Sequence, residues 1–131
     1  TEARVWLEQI VVEHAARRRT DDDLKRMEEN IRESEVIVRE GGLPRNSNLG
    51  FHLLIAEAAK NPLFVILVQS LMDVLRGVLA ELHPDMNHIA CVVDHHWAIH
   101  KAITDHDPER AKKVLLDHLM DVNSHLSKLS K

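Results

Sequence analysis

Apolar residues recur at helical spacing almost from one end of this chain to the other, and strand-like alternation is nearly absent. The pattern predicts six helices, over roughly 2–18, 21–40, 45–59, 61–82, 84–105 and 107–128. The first turns Val5, Ile10, Val11 and Ala15 inward. Thr20 caps the second, Asp21, Asp22 and Asp23 suit the positive end of its dipole, and Gly41-Gly42 ends it. Asn61-Pro62 and Asp107-Pro108 each set a capping side chain before a proline at the first helical position. The links between these segments are short, so neighbouring helices should run antiparallel in an all-α bundle.

Three of the apolar faces carry polar interruptions. The inward stripe of the fifth helix is Ile89, Val92, Val93, His96, Ile99 and Ile103. That of the sixth is Ala111, Val114, Leu115, His118, Val122 and Leu129. On the third, Asn48, His52, Ile55 and Ala59 follow i, i+4, i+7, i+11 spacing and share one face. Three helices therefore each point a histidine into one apolar interior. A buried imidazole without a partner loses its hydrogen bonds to water. Either each ring bonds a carbonyl or side chain of its own, or a divalent metal satisfies all three, since neutral imidazole is a common ligand. His125 continues the sixth stripe and His14 lies on the inner side of the first helix, so both stand in reserve. His83, His88, His95, His100 and His106 fall off the stripes or near helix ends and are read as ordinary.

Composition narrows the function. The chain has 131 residues, the size of one domain, and a hydrophobic content of 44%, enough for a core. Its formal net charge of −4 argues against nucleic-acid binding by this segment itself, which needs a concentrated basic surface. The short run Arg17-Arg18-Arg19 reads as a solvated last turn that complements the dipole of the first helix. One cysteine, Cys91, excludes an intramolecular disulfide and a thiolate zinc cluster, and fits a reducing compartment. No apolar run is expected to span a membrane.

Several segments, taken in order, resemble the FCD domain, the C-terminal effector-binding domain of the FadR subfamily of GntR-type regulators. They are Glu2-Ala3-Arg4 with Leu7-Glu8 and Ala15-Ala16, Asn48-Leu49-Gly50-Phe51-His52 with Ala56-Glu57-Ala58-Ala59-Lys60-Asn61, His96 through Ile103, and Asp107, Ala111 and His118-Leu119. The resemblance covers nearly the whole chain. It implies a bundle of six or seven helices and a divalent ion, zinc or nickel foremost, held in many members by one Asp and three His. Those positions are Asn48, His52, His96 and His118 here. Asn48 stands where Asp is usual, so the site would carry a neutral, weaker oxygen ligand.

The resemblance further implies a small organic acid as effector, with its carboxylate on the metal. Arg4 matches a position near the pocket and can pair with a carboxylate bidentately, although Glu8 at i+4 offers it an internal ion pair. Residues 1–131 would then be a single ligand-sensing domain. DNA would be bound by a winged helix-turn-helix domain preceding this segment, in a cytoplasmic homodimer with no membrane contact. Two other classes compete. A metal-dependent helical-bundle hydrolase needs a general base, yet Glu57 lies off the His52 face and Asp94 off the His96 face. A purely structural metal needs no open coordination position. A binding module, and no enzyme, is the expectation.

Overall fold

A computed structural model describes residues 2–129. Six helices follow one another: α1 (Glu2–Arg18), α2 (Asp21–Arg39), α3 (Arg45–Ala58), α4 (Pro62–Leu79), α5 (Met86–Thr104) and α6 (Pro108–Leu129). They form the antiparallel all-α bundle that the periodicity predicts. α1 packs against α3, α5 and α6, α2 against α3 and α5, α4 against α3, and α5 against α6. The interior is filled by Val11, Val12, Met27, Ile31, Phe51, Ile99, Ile103, Leu115 and Leu119.

Local chemistry sets the helix ends. Thr20 accepts from the Asp23 N–H while the Asp23 carboxylate accepts from the Thr20 N–H, a capping box. α2 stops where Gly41 adopts φ 82°, and the Gly41 and Gly42 N–H groups donate to the Val38 and Ile37 carbonyls. His106 makes the same turn after α5 at φ 51°, and its Nδ1 lies 2.8 Å from the Ala16 carbonyl of α1. That contact gives His106 a structural role.

Four details depart from the sequence reading. Ile10 is 48% exposed, because it sits two residues from buried Val12 and so on the opposite side of α1. Arg18 and Arg19 are not merely solvated: Arg18 donates to the Ala59 carbonyl (3.1 Å) and Arg19 to the Thr104 carbonyl (2.7 Å). They tie α1 to the C-terminal ends of α3 and α5, where positive charge is favoured. α4 ends at Leu79, short of 82, and Arg45 donates to the Leu82 carbonyl in the link to α5. By length and composition α4 also qualifies as a membrane-crossing helix, contrary to expectation. Within α4, Val68 and Met72 are buried in the common core and Asp73 pairs with Arg76, features of a bundle helix.

Candidate metal centre

His52 of α3, His96 of α5 and His118 of α6 are all buried, and one ligand nitrogen from each lies within 4.8 Å of the others. α3 reaches the other two helices through side chains. The Phe51 ring stacks on His96 at 4.2 Å between centroids, and His52 stacks on His118 at 5.5 Å. The three rings border a cavity of about 100 Å³, which Asn48, Arg4 and Arg45 also line. A single water needs roughly 10–15 Å³ of such space, so the cavity has room for an ion together with small ligand groups.

Each imidazole has a distinct set of partners. His52 Nδ1 makes a short contact with the Glu8 carboxylate, leaving Nε2 available. Glu8 also accepts from Arg4 Nε at 2.5 Å, and both residues are buried. Burial pushes the Glu8 carboxyl up, but the neighbouring His52 and Arg4 outweigh it and hold the group at about 2. Glu8 is therefore an anion that orients His52, as carboxylates commonly do behind ligating histidines. His118 Nδ1 lies 2.9 Å from His95 Nδ1. His96 differs: both ring nitrogens are buried and neither has a hydrogen-bond partner. Leaving a buried donor or acceptor unsatisfied costs about 1–3 kcal/mol.

Charge favours the ligand form of these rings. Burial first, then the neighbouring His52 and His95 imidazoles, holds His96 well below its ordinary value. His118 is held down in the same direction by burial, then by His96 and His52. Both are neutral at physiological pH, the form that coordinates metal.

Asn48 is half-buried on the cavity wall. Its side-chain oxygen accepts from Ser34 Oγ at 3.2 Å, and Ser34 is in turn 2.6 Å from Ser47. An amide oxygen has a second lone pair, so this bond leaves Asn48 able to ligate. A cation at the centre of the three imidazoles would fit the donor set and would give one of the two unpartnered His96 nitrogens its partner. The predicted residues thus converge on one cavity. Arg4 joins them there, already engaged through Nε with Glu8.

The reserve histidines separate. His125 lines the cavity outside the cluster and stacks on His88 at 3.8 Å, whereas His14 stacks on Phe64. His100 bonds the Leu24 carbonyl, an ordinary structural contact. Sequence reading missed the roles of Glu8, His88 and His95. Glu8 falls between Arg4 and Val11-Val12 on the buried face of α1, a position that signals it. His88 and His95 are seven residues apart and share a face beside the inward stripe of α5.

The family model for the FCD domain matches residues 1–121. The regulator LutR of Bacillus subtilis is 28% identical over 96% of this chain. The repressor NanR of an Enterobacter strain is 29% identical over 92% of it. The chain spans 60% of the first and 47% of the second. Among solved structures, Streptococcus agalactiae GntR superposes with a TM-score of 0.81 at 26% identity, over 92% of this chain and 55% of that one. E. coli McbR/YncC, at 19% identity, shares the fold with a TM-score of 0.86 over 99% of this chain and 63% of its own.

Proposed function

Because the chain belongs to the FCD domain family, we propose that it senses a small carboxylate effector through one divalent ion held by Asn48, His52, His96 and His118. The observation that carries this reading is His96, whose two buried nitrogens lack partners beside two other imidazoles and an open cavity. Three imidazoles and an amide oxygen suit zinc or nickel. The bound ion supplies Lewis acidity toward an effector carboxylate. Arg4 lines the same cavity and keeps its Nη donors for that carboxylate, since Glu8 engages only Nε.

The relatives LutR and NanR are transcription regulators, so the chain is read as the effector-sensing domain of a bacterial regulator and not as an enzyme. The site supports that. The carboxylate beside the cluster, Glu8, is bound by both Arg4 and His52 and is no free general base. DNA contact belongs to a separate winged helix-turn-helix domain, and residues 1–131 with their acidic balance bind no DNA sequence selectively. The full regulator works in the cytoplasm as a homodimer, as two-fold operator recognition requires. Leu63, Ile66, Val74 and Val78, exposed along α4, give a second copy an apolar face to cover.

A purely structural ion is the second reading, favoured by the three buried imidazoles alone. A thermal-shift screen separates the two. Small mono- and dicarboxylic acids should raise the melting temperature of the zinc-loaded chain and leave the chelator-stripped chain unchanged. Stabilisation by neutral or cationic compounds alone would overturn the carboxylate reading.

A further inference from the structure

The His118 ring reaches His95 across the α5–α6 contact. Their Nδ1 atoms are 2.9 Å apart and the rings meet nearly edge-on, at 69°. Two ring nitrogens at that distance share one proton, so one donates and the other accepts. An imidazole that gives Nε2 to an ion must carry its proton on Nδ1. His52 meets that condition through Glu8, because an ionised carboxylate only accepts. Among the described residues no carboxylate touches His118 Nδ1 directly; it faces His95.

Asp121 completes the arrangement. Its Oδ2 lies 4.0 Å from His95 Nε2 and 3.6 Å from His88 Nδ1, within ion-pair range of both rings. An anion on that side keeps the His95 proton on Nε2. The His95 Nδ1 lone pair is then free to accept. We propose that His95 is a positioning residue that holds His118 in its Nδ1–H tautomer, with Asp121 orienting His95, so that His118 presents Nε2 to the ion. His118, His95 and Asp121 are the counterpart on α5 and α6 of the His52–Glu8 pair between α3 and α1. The ion in this inference rests on the proposed metal reading; the tautomer is a property of the chain itself.

Two measurements on the full chain test the inference. The first is the histidine tautomer of the zinc-free protein, read from long-range nitrogen–proton spectra of ¹⁵N-histidine-labelled samples. His118 should be in the Nδ1–H form, and His95→Ala should abolish that preference. The second is zinc affinity, measured by competition with a chromophoric chelator. His95→Ala should weaken it by about 10–100-fold, the usual effect of losing the group behind a ligand. His95→Asn places an oxygen acceptor near the position of Nδ1 and should restore most of the loss. His95→Ala also strips the buried His118 Nδ1 of its partner, so the zinc-free melting temperature should fall, and His95→Asn should restore it together with the affinity. Protonation of His118 on Nε2 in the unaltered chain would overturn the proposal. So would zinc affinity unchanged by His95→Ala. If no form of the chain binds zinc, the metal reading falls, and the tautomer measurement still decides the role of His95.

Discussion

α4 and α5 are nearly equal in length, 18 and 19 residues, and they invert the usual division of core and surface in opposite directions. α5 carries four histidines and buries His96 to 1% exposure among Ile99, Ile103 and Phe51. α4 is the more apolar helix, yet only Val68 and Met72 are buried, while Ile66 remains 61% exposed. Both departures are unfavourable in the isolated chain. An uncovered apolar row loses about 25 cal/mol for each Å² left in water, and an unpartnered buried nitrogen loses its hydrogen bond. On the proposed reading an ion completes the interior of the bundle, and a second copy covers the outside of α4.

The largest effect is expected on α4. A side chain in a two-fold interface occurs twice, so Ile66→Asp should weaken a dimer by roughly 3–6 kcal/mol, at ~1.5–3 kcal/mol per buried apolar side chain. Sedimentation velocity should then show a folded monomer with unchanged helical circular dichroism. A chain that is monomeric before the substitution, at all concentrations tested, would leave the α4 face without this explanation.

Inside the bundle, an ion that binds only the folded state adds about 2.7 kcal/mol at a free concentration of 100 times its dissociation constant. For a domain of this size that corresponds to a rise on the order of 10 °C in Tm. Differential scanning calorimetry should find that rise with zinc, lose it in His118→Ala, and keep it in His83→Ala, which alters an exposed residue. His96→Leu sharpens the contrast. It removes both unpartnered nitrogens, so the zinc-free chain should gain about 1–2 kcal/mol in denaturant melts while losing its response to zinc.

The smallest effect is on pH dependence. His96 and His118 are held below 6.5 in the folded chain, whereas in the unfolded chain they take up protons near 6.5. Below that pH the unfolded state binds more protons, so their contribution to stability is complete above about 6.5 and is lost progressively on acidification. The zinc-free Tm should therefore fall between pH 6.5 and 5, and less so in His96→Leu. A flat profile shared by both chains would contradict the shifted imidazoles.

Much of this was legible in the sequence because helical periodicity reports on faces. Asn48 and His52, four residues apart, and the mid-stripe places of His96 and His118 put all four on inward surfaces by periodicity alone. Helix starts were equally readable where a capping side chain precedes proline, as at Asn61 and Asp107. What escaped involves distance along the chain. The Glu8–His52 contact joins residues 44 apart, and periodicity says only that each faces inward. His95 failed the inward test because it flanks the stripe, yet flanking is what lets it touch His118 from the side. The uncovered row of α4 was hidden for the opposite reason, since a helix apolar on most sides does not announce which side lacks a partner.

The most direct test is the metal content itself. The chain, stripped with chelator and titrated with zinc in a calorimeter at pH 7.5, should bind one ion per chain. Binding should tighten in Asn48→Asp, where an anionic oxygen replaces a neutral one, and vanish in His52→Ala, His96→Leu and His118→Ala. Absence of binding heat with zinc and with nickel, together with an unchanged Tm in both, would contradict the account and leave three imidazoles buried for packing alone.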